Sequence, residues 1–222
     1  MSKDDLLAVP IVLASSSPRR SDLLKQMGLE FFVESPQVEE VRKKGESPRE
    51  MVRRLAHEKA LSLEEESLRR FGAALIIAAD TIVIAPGGDR VLGKPKSVSD
   101  AKKMLGLLSG KTHTVYTAYC VLAVSRGQAR RRILRVVSSR VRIRELSRAD
   151  IVNYVATGEP MDKAGSYAAQ GLGMALIESI SGSYTNVVGL PVSHLLGDLE
   201  TQFGLPLFAL KGNAKAKRLD QP

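Results

Sequence analysis

Short unbroken apolar runs alternate along the chain with segments whose apolar residues recur every three or four positions. The unbroken runs read as strands buried on both faces and the spaced ones as amphipathic helices. VPIVLA at 9–14 predicts a buried strand, SPRRSDLLKQMG at 17–28 a short helix closed by Gly28, and EFFVES at 30–35 a second strand. One long helix is expected over 47–70, where Ser47, Pro48 and Glu50 stand at capping-box spacing. AALIIAADTIVIA at 73–85 predicts a buried strand, PGGDR a turn, and SVSDAKKMLGLLSG at 97–110 a helix capped by Ser99 and stopped by Gly110. THTVYTAYCVLAV and RRILRVVSSRVRIREL then pair as a hairpin across Gly127. A short helix over 147–158, a strand over 174–182 and a last helix over 191–204 complete an α/β order without internal repeats.

At 222 residues the chain suits one large unit better than two independent domains. No apolar run approaches the roughly 18 residues of a membrane span. The start MSKDDLLAVP lacks the apolar core of a secretory signal, so a cytoplasmic address is expected. The single cysteine, Cys120, lies in an apolar run and reads as a buried inert thiol. A net charge of +9 favours anionic partners. Part of that charge falls in the tail 208–222, expected to be flexible, and part in the strand where Arg140, Arg142 and Arg144 alternate with Val141 and Ile143. Such alternation describes a wet face. With 5% aromatic residues and no tryptophan there are few platforms for stacking nucleic-acid bases, so nucleic acid is not the expected partner.

LASSSPRR at 13–20 sets Arg19 and Arg20 in the first turn of a helix, where they oppose the macrodipole unless an anion lies among them. Alone, the stretch fits either a capped helix with two solvated arginines or a phosphate cradle. Lys59 falls near the centre of the apolar stripe made by Met51, Val52, Leu55, Ala56 and Ala60, so its amine either snorkels out or aims into a pocket. Asp80 interrupts an apolar strand, and a carboxylate there needs a cation, a metal or hydrogen-bond donors such as the Thr81 hydroxyl. Lys94 precedes a proline in extended backbone. GEPMDKAGSYAAQGLG at 158–173 gathers Asp162, Lys163, Tyr167 and Gln170 in a glycine-rich loop, and Glu39 and Glu40 could supply oxygen ligands. The scattered histidines and absent cysteine pairs argue against zinc, leaving Mg²⁺ or Mn²⁺ as the metal expected if one is used.

LASSSPRR, RLAHEKA, AADTIV, GKP, DKAGSYAAQG and NVVGLP, in this order, resemble the Maf proteins, first named as septum formation inhibitors. The resemblance implies a mixed, elongated α/β sheet flanked by helices, with two lobes around a central cleft, similar to the inosine triphosphate pyrophosphatases. It sets the domain at 11–207 after a lead-in at 1–10. It also implies hydrolysis of a nucleoside triphosphate between its α and β phosphates with a divalent metal, often by a homodimer. Carried over by motif, Asp80 would accept the proton of the attacking water, with Lys59 and Lys94 beside it in catalysis. Ser15, Arg20, Thr81, Lys163 and Gln170 would bind substrate, and Glu40 with Asp80 would contact the metal. Arg20, Thr81 and Gln170 match the dTTP- and UTP-preferring branch, whereas a branch acting on 7-methyl-GTP commonly has glutamate in place of Gln170. Gly93, Ala168 and Ala169 depart from the family's commoner residues. A reading from another class is a regulatory or nucleic-acid-binding protein that acts on cell division through its basic surface.

Overall fold

A computed structural model of the protein describes residues 9–205. The expected flexible tail and residues 1–8 of the lead-in fall outside the described residues, as do the last two residues of the expected domain. In chain order the elements are β1 (Ile11–Ala14), α1 (Pro18–Gln26), β2 (Phe32–Glu34), α2 (Pro48–Leu61), α3 (Glu64–Phe71), β3 (Ala73–Ile84) and β4 (Val91–Leu92). They continue as α4 (Val98–Leu108), β5 (Thr112–Ser125), β6 (Arg131–Ile143), α5 (Arg148–Ala156), β7 (Ile177–Ser181), α6 (Tyr184–Val188) and α7 (Val192–Phe203). Three short 3₁₀ turns fill the stretch between Glu159 and Leu176.

Among the described residues one seven-stranded sheet runs β2-β1-β3-β5-β6-β7, with β4 added to β3. β1 is parallel to both β2 and β3, while β3, β5, β6 and β7 are antiparallel in turn. The mixed α/β sheet flanked by helices expected from the sequence is therefore present. Alternation along β3 and β5 sorts the core by face. Leu75, Ile77, Tyr119 and Val121 face α1 and α7. Ala74, Ile76, Ala78, Cys120 and Leu122 face α2, with α3 packing at its margin. A third cluster lies toward the other end of the sheet, where Val83 and Val115 meet α4 and α5. Cys120 is buried and its thiol is pushed up to about 12 by burial, in keeping with an inert side chain.

Three local readings are corrected. The long helix expected over 47–70 is two helices, separated at Ser62 and Leu63. Ser62 Oγ donates to the Lys59 carbonyl at 3.0 Å, satisfying an acceptor that α2 leaves open at its end. The new start gives Glu64, Glu65 and Glu66 a first turn and Arg69 and Arg70 a last turn, each complementing the α3 macrodipole. Helix α4 is capped by Ser97 rather than Ser99, because Ser97 Oγ accepts from the Asp100 amide at 3.1 Å. Only Ile177–Ser181 of the strand expected over 174–182 is extended, since residues 171–176 coil as 3₁₀ turns. The capping box at Ser47 and Glu50 forms as the spacing predicts. Arg140 and Arg142 lie on the wet face that the alternation predicts, where Arg142 meets Glu178, whereas Arg135 leaves β6 on the opposite face and meets Asp198 of α7.

Candidate active site

The cavity that gathers the candidate residues begins as a gap in the sheet. Pairing of β1 with β3 stops at Ala78, and pairing of β4 with the same edge begins only at Val83. The β3 edge between them is open beyond the carboxyl end of a parallel strand, the usual location of ligands in open α/β sheets. A cavity of about 250 Å³ occupies this notch and is lined by Ser15, Arg20, Glu40, Lys59, Asp80, Thr81, Lys94, Lys163 and Gln170. Of the pair Glu39 and Glu40 only Glu40 lines the cavity, where it meets the other candidates that the sequence singles out. Arg19, Asp162, Tyr167 and Gly189 complete much of its wall.

Because side chains alternate across a strand, neighbours Asp80 and Thr81 leave β3 on opposite faces. Asp80 faces α2 and is buried beside Lys59, whose Nζ lies 2.6 Å from Asp80 Oδ1 and 2.5 Å from Glu40 Oε1. Of the two readings open for Lys59, the amine aimed into a pocket is the one observed. Asp80 is held by this lysine rather than by the adjacent Thr81 hydroxyl. Burial acts to raise the Glu40 pKa, but the hydrogen bond and charge of Lys59, with Lys94 and Arg20 behind, outweigh it and hold the carboxyl below its ordinary value. Lys94 is exposed and, among the described residues, makes no ion pair.

On the other face, Arg20 is buried with its guanidinium fully engaged. Nε donates to the Gly189 carbonyl at 2.8 Å, one terminal nitrogen to Ser15 Oγ at 3.0 Å and the other to Thr81 Oγ1 at 3.1 Å. Burial lowers its pKa against the opposing pull of Asp80 and Glu40. The Thr117 hydroxyl donates to the Asn186 carbonyl at 2.8 Å, so Thr81 gives its own proton to Thr117 at 2.9 Å and accepts from Arg20. Arg20 therefore locks the turn after β1 to β3 and to Gly189, while Arg19 stays half-buried 3.8 Å from Asp162. Ser17 stands at the N-cap position of α1 but makes no side-chain cap bond, and its amide donates to Ser15 Oγ. The first turn of α1 is left uncapped where the cavity begins.

Lys163 points its ammonium at Asp162 and, at 3.3 Å, at the Glu159 carbonyl. The Gln170 side chain is half-buried and has no hydrogen-bond partner among the described residues. Behind the wall, Tyr167 Oη and His113 Nε2 lie 2.8 Å apart, and burial pushes the His113 pKa down to about 4. Thr117 carried no sequence signal, since it lies in ordinary strand context, and Asn186 was marked only as the first residue of the NVVGLP motif. Gly189 was marked only by the NVVGLP motif.

Arg19, Lys59, Lys94 and Lys163 gather around the carboxylates of Asp80 and Glu40, with the amide of Gln170 at the margin, a lining suited to a polyanion. The Maf-like protein family matches residues 10–202, and the chain belongs to that family. A dTTP/UTP pyrophosphatase of Symbiobacterium thermophilum is 47% identical over 198 residues, covering 89% of this chain and 96% of that protein. A second dTTP/UTP pyrophosphatase, of Desulforamulus reducens, is 44% identical over 198 residues, covering 89% and 98%. Among solved structures, a HAM1 protein from Coxiella burnetii aligns over 94% of this chain and 99% of its own with 16% identity and a TM-score of 0.41. No helix among the described residues is long and apolar enough to cross a membrane.

Proposed function

We propose that this chain is a nucleoside triphosphate pyrophosphatase that hydrolyses dTTP and UTP to the monophosphate and pyrophosphate. The observation that carries this reading is the Lys59 ammonium, buried between Asp80 and Glu40 in a cavity that Arg19, Lys94 and Lys163 also line. Cleaving a phosphoanhydride needs charge neutralisation on the transferring group, a deprotonated water and a stabilised anionic leaving group. Asp80 takes the proton as the water oxygen bonds to phosphorus and the bond to the bridging oxygen breaks. Lys59 fixes the Asp80 carboxylate, and Lys94, Lys163 and Arg19 meet the charge of the phosphate chain. Arg20 acts by position, holding Ser15 and Thr81 in the wall. Gln170 presents both a donor and an acceptor, matching a pyrimidine edge that carries a carbonyl beside an N–H.

A divalent cation, Mg²⁺ or Mn²⁺, belongs to the same reading. Glu40 and Asp80 converge on a single cationic group, so hard oxygen donors already meet at one point. With two carboxylates offered by the protein, an ion bound here would be completed by substrate phosphate oxygens. When bound, the ion supplies charge neutralisation at the phosphates. The test is a panel of nucleoside triphosphates with Mg²⁺ or Mn²⁺, assayed separately for pyrophosphate and orthophosphate. Pyrophosphate from UTP and dTTP is expected, and silence across the panel refutes the reading.

A further inference from the structure

We infer that Glu159 is a specificity-positioning residue, whose carboxylate holds the limb that carries Gln170 in its base-reading place. The inference rests on the proposed role of Gln170. The Gln170 side chain has no partner of its own among the described residues, yet the backbone on both sides of it is pinned. Before it, the Ala168 amide donates to Tyr154 Oη at 3.2 Å and the Ala169 carbonyl accepts from Tyr184 Oη at 3.0 Å. After it, the amides of Leu172 and Gly173 donate to the two Glu159 oxygens at 2.9 and 2.8 Å. The Tyr154 hydroxyl in turn donates to Glu159 Oε1 at 2.8 Å, so one carboxylate ties both sides together.

The neighbouring glycines leave room for this network, Gly171 against the carboxylate itself and Gly173 against Ala168 and Tyr154. Gly171, next to Gln170, has φ +70°, and a Cβ there would lie 2.5 Å from Glu159 Oε2. A Cβ on Gly173 would lie 2.4 Å from the Ala168 carbonyl and 2.6 Å from Tyr154 Oη. Backbone amides approach this closely only because no side chain intervenes. The carboxylate accepts three hydrogen bonds, and an amide in its place cannot. Glutamine retains one acceptor oxygen and turns an N–H₂ toward an N–H, so the Leu172 or Gly173 amide loses its partner. Lys163 contacts Glu159 through the main-chain carbonyl, which a side-chain substitution leaves intact. The Lys163 ammonium also acts on the Glu159 carboxylate by charge, so Tyr154→Phe and Glu159→Asp, which keep that charge, separate an effect on the base-reading limb from one on the phosphate side.

The experiment compares wild type with Glu159→Gln, Glu159→Asp and Tyr154→Phe. It reads kcat/KM for UTP and for 7-methyl-GTP, and the inhibition constant of inorganic tripolyphosphate, which has no base. In Glu159→Gln the UTP to 7-methyl-GTP ratio should fall roughly three- to tenfold, the usual effect of losing a hydrogen bond in a partly exposed network, with tripolyphosphate inhibition unchanged. Tyr154→Phe removes two links of the network without a charge change and should shift the ratio the same way by a smaller factor. Glu159→Asp retains the charge and should recover part of the wild-type ratio. An unchanged ratio in both Glu159→Gln and Tyr154→Phe, or an equal loss on all three probes, overturns the inference. A wild type without base preference overturns the role of Gln170 itself, and the positioning role with it.

Discussion

Replacing Lys59 by methionine removes the cation shared by Asp80 and Glu40 while retaining the length and apolar stem of the side chain. Lys59 and Asp80 are 6% and 4% exposed, so the lost contact is a buried ion pair. Removing one partner of such a pair strands a charge and costs about 3–5 kcal/mol. Glu40, whose side chain is 56% exposed, adds little to that cost because water screens it. For a chain of this size about 3 kcal/mol corresponds to a fall in Tm of roughly 6–12 °C. Thermal unfolding at pH 7, followed by circular dichroism, measures it, and turnover of UTP should vanish in the same variant. Adding Asp80→Asn to Lys59→Met removes the stranded charge and should recover stability to within about 1 kcal/mol of wild type without restoring turnover. A fall of less than about 2 °C in Lys59→Met, or no recovery in the double variant, refutes the buried pair.

Arg20→Lys keeps the charge but offers one nitrogen where three separate acceptors are met by a planar fork, so stability should fall by at least about 2 kcal/mol in urea unfolding. A lysine variant with wild-type stability and kinetics would show that the fork is dispensable. His113 is 2% exposed and its pKa lies near 4, so the unfolded chain binds a proton more readily and stability is lost as pH falls from about 6.5 to about 4. That contribution amounts to about 3 kcal/mol, and Tm measured against pH should be flatter across the window in His113→Phe. An identical slope in both proteins would place the titration elsewhere.

Much of this arrangement was readable in the chain because several candidates, though not Lys94, violate a local pattern. Lys59 interrupts an apolar stripe, Asp80 interrupts an apolar strand, and the paired arginines oppose a helix dipole. Each violation needs compensation: Lys59 and Asp80 compensate one another, while Arg20 is met by Ser15, Thr81 and Gly189. Features that obey local rules gave no such signal. The break at Ser62 and Leu63 was hidden because helix-compatible residues continue through it, and only the charges of α3 hint at a second start. Engagement of Arg20 with Gly189 joins positions 169 residues apart, beyond any periodicity. The 3₁₀ turns around Gln170 depend on the reach of Glu159 and on glycines crowded by groups distant in sequence, Gly171 by the Glu159 carboxylate and Gly173 by the Tyr154 hydroxyl.

The most direct test of the central claim, that Asp80 in this cavity activates water to split the triphosphate, is product analysis of UTP hydrolysis with wild type and Asp80→Asn. Wild type should release UMP and pyrophosphate in equal amounts. Asp80→Asn keeps the shape of the site but cannot take the proton, so it should still bind UTP while turning over at least about 100-fold more slowly. UDP and orthophosphate from wild type, or an Asp80→Asn variant retaining more than about a tenth of the rate, would contradict the account.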